Sequence, residues 1–180
     1  AYFIESSVKK DYDDMGEKEK AIELVENNHY GVIADALNPP FKKGIFDYII
    51  ASEVIEHIVD PRKFISHLST LLKDDGSLII STPYKEKLHY SQCIHCNNMT
   101  PKNAHLHSFD EKILYSLAEY PIKAVKHYIF GNKALEIFRT HIILKYFPFG
   151  LWKMFDKIFN LIIPKINHII VIYQKESNAH

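Results

Sequence analysis

The sequence predicts an α/β protein built on a doubly wound, mostly parallel sheet, and three observations carry that prediction. Two short apolar runs, Tyr48-Ile49-Ile50-Ala51 and Ser77-Leu78-Ile79-Ile80-Ser81, have the length and continuity of strands buried on both faces. Between them, Phe64, Ile65, Leu68, Leu71 and Leu72 fall on one face of a helix that begins at Pro61, where a missing N–H costs nothing. Lys73-Asp74-Asp75-Gly76 then supplies a C-terminal glycine stop, so strand, helix and strand form one βαβ unit.

The remaining elements come in order. Ala1-Tyr2-Phe3-Ile4-Glu5 reads as a strand ending on an acid. Ala21, Ile22, Leu24 and Val25 mark a short amphipathic helix over Lys18 to Asn28, and Gly31-Val32-Ile33-Ala34-Asp35 reads as a third strand. After Pro83 the chain turns polar, and Tyr84 to Ala104 has no usable periodicity, which predicts a long loop of the kind that is usually functional. A helix over Glu111 to Tyr120 carries Ile113, Leu114 and Leu117 on one face and breaks at Pro121; Ile122 to Phe130 reads as a strand. Residues 133–163 are apolar and aromatic, broken by Pro148-Phe149-Gly150, and read as two helices inserted before a last strand, His168 to Tyr173.

All 180 residues suit a single domain. Lysine plus arginine equal aspartate plus glutamate at 22 each, so no basic excess announces a nucleic-acid duplex, although a small RNA end held by a few contacts is compatible with that balance. The pattern contains no signal peptide and no uninterrupted apolar run of about 18 residues, which sets the expectation of a soluble, cytoplasmic protein. Within 133–163, Lys145, Lys153 and Lys157 could ring an apolar face, so that insertion is read as packing, as a lid for an apolar substrate, or as a surface for peripheral membrane or partner contact.

Two constellations could carry chemistry. In open α/β sheets ligands sit at the carboxyl ends of strands, and directly after Ala51 the chain reads Ser52-Glu53-Val54-Ile55-Glu56-His57. If a helical turn starts after Ser52, Glu53 shares a face with Glu56 and His57. Two carboxylates and an imidazole converging on a pocket require a proton or a cation, which makes them an acid/base cluster or a divalent metal site. The second constellation, within the 84–108 region, is Cys93-x2-Cys96 with His105 and His107 after it. Soft thiolates plus imidazoles have the composition of a tetrahedral zinc knuckle that would order the loop. Two reduced, inert cysteines are the alternative.

The string FDYIIASEVIEHI, a helix, then LLKDDGSLIISTP resembles the core of the class I S-adenosylmethionine (SAM) dependent methyltransferases, closely from Gly31 to about Pro83 and more loosely elsewhere. The resemblance implies SAM as cofactor, with Glu5 on the ribose hydroxyls, Asp35 and Ala36 at the adenine, and Ser52 beside them. It also implies that the glycine-rich turn after the first strand would precede Ala1, since all six glycines are isolated; the expectation is an N-terminally truncated domain. In two families that the EVIEH string resembles, ubiquinone-biosynthesis O-methyltransferases and small-RNA 3′-terminal 2′-O-methyltransferases, these positions hold a divalent cation. The latter takes a further histidine from an H-x-F-acid segment, matched by His107-Ser108-Phe109-Asp110. Certain bacterial methyltransferases pair a C-x-x-C with G-H-x-x-S-F-D, here with Ala104 in place of the glycine. The expected function is methyl transfer to a small-molecule hydroxyl, against two alternatives: a non-catalytic methyltransferase-like scaffold, and a metal-dependent RNA 3′-end methyltransferase.

Overall fold

The computed structural model describes residues 34–132, 146, 148–163 and 165–177. The strand over 1–5, the helix over 18–28, most of the strand over 31–35 and the first of the two inserted helices lie outside the described residues, as does Glu5.

The βαβ unit is present. Strand β1 (Phe46–Ser52) leads through a 3₁₀ turn at Ile55–His57 to helix α1 (Pro61–Leu71), and strand β2 (Leu72–Pro83) returns parallel to β1, with Ala51 opposite Ile80 and Ser52 opposite Ser81. Asp60 caps α1 by accepting the Lys63 N–H at 3.1 Å, a signal additional to Pro61. Phe64, Ile65, Leu68 and Leu71 all turn inward.

Two details differ from the sequence expectation. Ile49 and Ala51 are buried but Tyr48 is 66% exposed, so β1 alternates and among the described residues its burial is one-sided. The helix stop also works differently: the left-handed residue is Asp75 (φ 61°), and Gly76 is required for space. A Cβ on Gly76 would stand 2.9 Å from the Lys73 carbonyl oxygen and 3.2 Å from that of Asp47.

Beyond the unit, β3 (Tyr90–Gln92) and β4 (Met99–Pro101) form a small hairpin inside the stretch expected to be loop, because paired backbone groups can order a segment that lacks apolar periodicity. Helix α2 (Glu111–Ser116) starts on Asp110, whose side chain accepts the Ile113 N–H. After it come β5 (Ile122–Asn132), α3 (Phe149–Ile162) and β6 (Ile166–Lys175). The main sheet has the order β1-β2-β6-β5, with β6 antiparallel to both its neighbours. Leu78, Ile80, Ile169, Val171 and Tyr173 join α1 and Leu114 in one core, and the Tyr173 hydroxyl donates to the Leu114 carbonyl at 2.9 Å.

The reversed strand fixes the site. Because β6 runs against β2, its beginning lies where β2 ends: His168 is opposite Pro83. Residues after β1, residues at the end of β2 and the start of β6 therefore share one edge.

Gly76→Ala is expected to destabilise the protein by roughly 1–3 kcal/mol, since backbone oxygens cannot move aside as a side chain would. Urea unfolding measures this; an unchanged midpoint would show that the 73–76 turn relaxes freely.

Candidate active site

Glu53 does not join Glu56 and His57 on one helical face. The 3₁₀ turn begins only at Ile55, and Glu53 itself takes a left-handed backbone (φ 53°) with its N–H on the Ser81 carbonyl. Its carboxylate consequently swings toward β2 and β6. Oε1 accepts from the Ser81 hydroxyl at 3.2 Å and Oε2 lies 3.5 Å from His168 Nε2. Burial disfavours the charged form of Glu53, but the hydrogen bond and charge of His168, helped by Ser81 and His105, outweigh it and hold the carboxyl below its ordinary value.

Glu56 goes the other way, into the protein, where it is 1% exposed. Oε2 accepts from the Thr82 hydroxyl at 3.0 Å, while Oε1 is buried with no hydrogen-bond partner. Burial is the main reason its carboxyl is pushed up; Glu53 adds to the effect, and its own backbone N–H, Thr82 and His57 oppose it. A buried carboxylate oxygen without a donor is costly enough that something normally satisfies it.

A pair of imidazoles faces that oxygen. His57 Nε2 is 4.0 Å from Glu56 Oε1, and the His57 and His105 rings meet edge to face with centroids 4.8 Å apart. One ligand atom from each of Glu56, His57 and His105 lies within 4.8 Å of the others, and among the described residues no other set of three such groups does so. Both rings are held from behind. His57 Nδ1 is 3.2 Å from the Ala104 carbonyl, which can only accept, so Nδ1 carries the proton. His105 Nδ1 is 2.5 Å from Glu86 Oε2. Each Nε2 is thereby the ring nitrogen left facing the pocket, as in histidines that bind metal with a carbonyl or carboxylate behind them.

The expected knuckle of Cys93, Cys96, His105 and His107 is not assembled. His105 belongs to the Glu56 cluster. His107 donates through Nε2 to the Ile58 carbonyl at 2.9 Å and packs on Phe109. Cys93 and Cys96 sit in the β3–β4 turn, closed by the Cys93 N–H on Asn98 and the Asn97 N–H on Cys93. The N–H groups of Cys96 and His95, with the Cys96 thiol, pull the Cys93 thiol below its usual value. The registry has a backbone cause: Asn103 and Ala104 are both left-handed (φ 58° and 56°), which turns the chain so that the Leu106 N–H meets the Glu56 carbonyl and His105 faces the pocket. A glycine would hold the Ala104 conformation without strain.

On the expected cofactor side, the Asp35 Oδ1 accepts the Leu37 N–H at 2.9 Å and so caps its own turn. Ala36 lines a small apolar crevice with Ile50, Ala51, Val54, Phe64 and Leu68. The Ser52 hydroxyl is 2.8 Å from that of Ser81. His168, Thr82 and Glu86 are the site residues that the motifs missed; only the rule that a reversed last strand starts at the carboxyl edge could have pointed to His168.

A reversed strand in an otherwise parallel sheet, with polar groups gathered after β1 and β2, defines an α/β domain whose ligands bind at the carboxyl edge. The chain belongs to a family described as a methyltransferase domain, which matches residues 4–120. It is 48% identical over 46 residues to the mitochondrial ubiquinone biosynthesis O-methyltransferase of Bos taurus, covering 26% of this chain and 12% of that protein. Norajmaline N-methyltransferase of Rauvolfia serpentina is 29% identical over 87 residues, covering 48% and 26%. The chain thus spans a minor part of the curated relatives it matches. Among solved structures, the [4+2]-cyclase SpnF superposes with a TM-score of 0.56 at 14% identity, covering 89% of this chain and 61% of that one. A Burkholderia thailandensis 1,6-didemethyltoxoflavin-N1-methyltransferase gives 0.56 at 12% identity, covering 89% and 57%. These two likenesses establish the fold.

Thr82→Val removes a hydroxyl donor from a buried carboxylate and is expected to cost about 1–3 kcal/mol, with a pH signature. A carboxyl raised in the folded state gives up stability as pH rises through its folded pKa. Losing Thr82 raises that pKa further, so urea unfolding should show a larger loss at pH 8 than at pH 5.

Proposed function

We propose that this chain forms the acceptor side of a SAM-dependent methyltransferase acting on a small-molecule hydroxyl, with a divalent cation held by Glu56, His57 and His105. The observation that carries the reading is the buried, unpartnered Oε1 of Glu56 facing two imidazoles whose other nitrogens are tied back. One carboxylate oxygen and two imidazole nitrogens are a donor set suited to zinc, iron, nickel or manganese. Such a cation, when bound, supplies Lewis acidity that lowers the pKa of an acceptor hydroxyl.

The chain's own residues do the rest. Ala104 and Glu86 fix the two ring orientations, Thr82 holds the far oxygen of Glu56, and Glu53 with His168 borders the pocket as a separate ion pair. SAM is an activated donor, so holding the acceptor oxygen in line with the methyl group supplies most of the rate. The curated relatives named as O-methyltransferases support the acceptor class, and the family supports SAM. A second reading, a fold relative that transfers no methyl group, draws on the [4+2]-cyclase neighbour, since one fold hosts many chemistries.

Two measurements test the proposal in the full protein. Calorimetric titration with S-adenosylhomocysteine should show binding, and His57→Ala should lower turnover by about a hundredfold or more while leaving that affinity within about twofold. Loss of affinity equal to the loss of turnover would make His57 a binding residue.

Thermal unfolding with manganese or zinc tests the cation separately. The wild-type protein should gain stability on adding metal; Glu56→Gln should be more stable than wild type without metal, because the buried charge is gone, and should lose the response. Cys93→Ser with Cys96→Ser should keep it. No response in a wild-type protein that binds S-adenosylhomocysteine would remove the cation and leave His57 as a general base.

A further inference from the structure

Helix α3 carries apolar residues on two sides, with Trp152, Phe155 and Phe159 half-buried beside its one fully buried position. Its most buried residue is an acid, Asp156, whose carboxylate accepts the Gly131 N–H at 3.2 Å. One turn on, Asn160 Oδ1 accepts from Asn132 Nδ2 at 2.8 Å, and the same Asn132 nitrogen donates to the Ile163 carbonyl at 2.7 Å. Burial pushes the Asp156 carboxyl up, against the Gly131 and Asn160 hydrogen bonds, which marks this edge as enclosed. These polar anchors fix the rotation of the helix about its axis, and they leave a second apolar stripe outside.

Met154, Ile158, Leu161 and Ile162, spaced i, i+4, i+7 and i+8, form one stripe along the outer face. All four are exposed, Leu161 by 85% and Ile162 by 70%. Lys153 and Lys157, also exposed and four residues apart, run along one border of the stripe, and Lys165 stands just past its end. The helix has one acid, Asp156, and it faces inward. Phe149 stacks on Trp152 at the other end, with centroids 5.9 Å apart. No described helix is long and apolar enough to cross a membrane.

We propose that α3 docks this protein on an anionic lipid surface, with Met154, Ile158, Leu161 and Ile162 entering the headgroup boundary and Lys153 and Lys157 meeting lipid phosphates. An apolar stripe edged by lysines, with an aromatic pair at its end and no outward acid, is the pattern of a helix that lies in the interface plane. The charge selects the occupant. A neutral apolar patch would suit a second copy or another protein equally well, whereas a lysine row with no acidic partner among the described residues favours an anionic sheet of headgroups, at about 1 kcal/mol per lysine near the surface. Docking of this kind does not depend on methyl transfer.

The test is co-sedimentation of the full protein with vesicles of phosphatidylcholine alone and of phosphatidylcholine with phosphatidylglycerol. Binding is expected to the anionic vesicles and to fall by about thirtyfold in Lys153→Gln/Lys157→Gln, the fold-change that two lysines imply. Ile158→Glu and Leu161→Glu should abolish it while leaving thermal unfolding unchanged, since both side chains point outward. Equal binding to neutral vesicles, or binding that survives Ile158→Glu, would overturn the proposal. So would a protein that binds no vesicle: if Ile158→Glu then abolishes a concentration-dependent dimer, the stripe belongs to a second copy, and if it lowers thermal stability, to packing by the chain's own residues.

Discussion

One oxygen atom constrains the pocket. A carboxylate taken out of water is tolerated only when its lone pairs are satisfied or its charge is neutralised, and Glu56 has just one of its two oxygens served, by Thr82. The surroundings are organised as though the second were reserved. The two side chains nearest in function, His57 and His105, are held at Nδ1 by Ala104 and Glu86, which keeps each Nε2 toward the pocket. A protein seeking only stability would place a donor there or replace the acid. An unserved carboxylate oxygen facing two ring nitrogens is the observation on which the proposed cation rests.

The sheet explains why these groups can meet at all. Glu53, Glu56 and His57 come after β1, Thr82 closes β2, and His168 opens β6, so residues more than a hundred apart in sequence share an edge because β6 is antiparallel. The same topology separates two acids that lie three residues apart. The left-handed backbone at Glu53 sends its carboxylate to Ser81 and His168, where it is held ionised, while Glu56 turns inward, where ionisation is opposed. Environments that drive two carboxyls apart are what allow them separate roles.

The βαβ unit was legible because its signals are local and redundant: apolar runs of strand length, a helical face from Phe64 to Leu72, and Pro61 at the start. Glu56 and His57 were legible as a pair through the EVIEH string. The hidden part depends on backbone conformations that carry no side-chain periodicity. Asp75, Glu53, Asn103 and Ala104 all occupy the left-handed region without being glycine, and each redirects the chain. The H-x-F-acid motif pointed to His107 as the histidine that joins Glu56 and His57, and the structure brings His105 there instead, because the choice is made by that turn and by the Leu106 bond to Glu56. The hairpin around Cys93 and Cys96 is held by backbone hydrogen bonds, which composition does not display.

Fold and site therefore carry different weights. The sheet is shared with proteins named as N-methyltransferases and with one named as a [4+2]-cyclase, so architecture alone selects no reaction. The EVIEH edge is narrower evidence, because the 46 residues most like a ubiquinone O-methyltransferase are a short core rather than a whole enzyme. The chemistry of the donor set concerns the proton: a hydroxyl must lose its proton as it attacks, and an amine that arrives as an ammonium must lose one before it attacks. A base at the Glu56 edge would serve either acceptor, so the proposed oxygen acceptor rests on the relatives named as O-methyltransferases, while the pocket bears on where the proton goes.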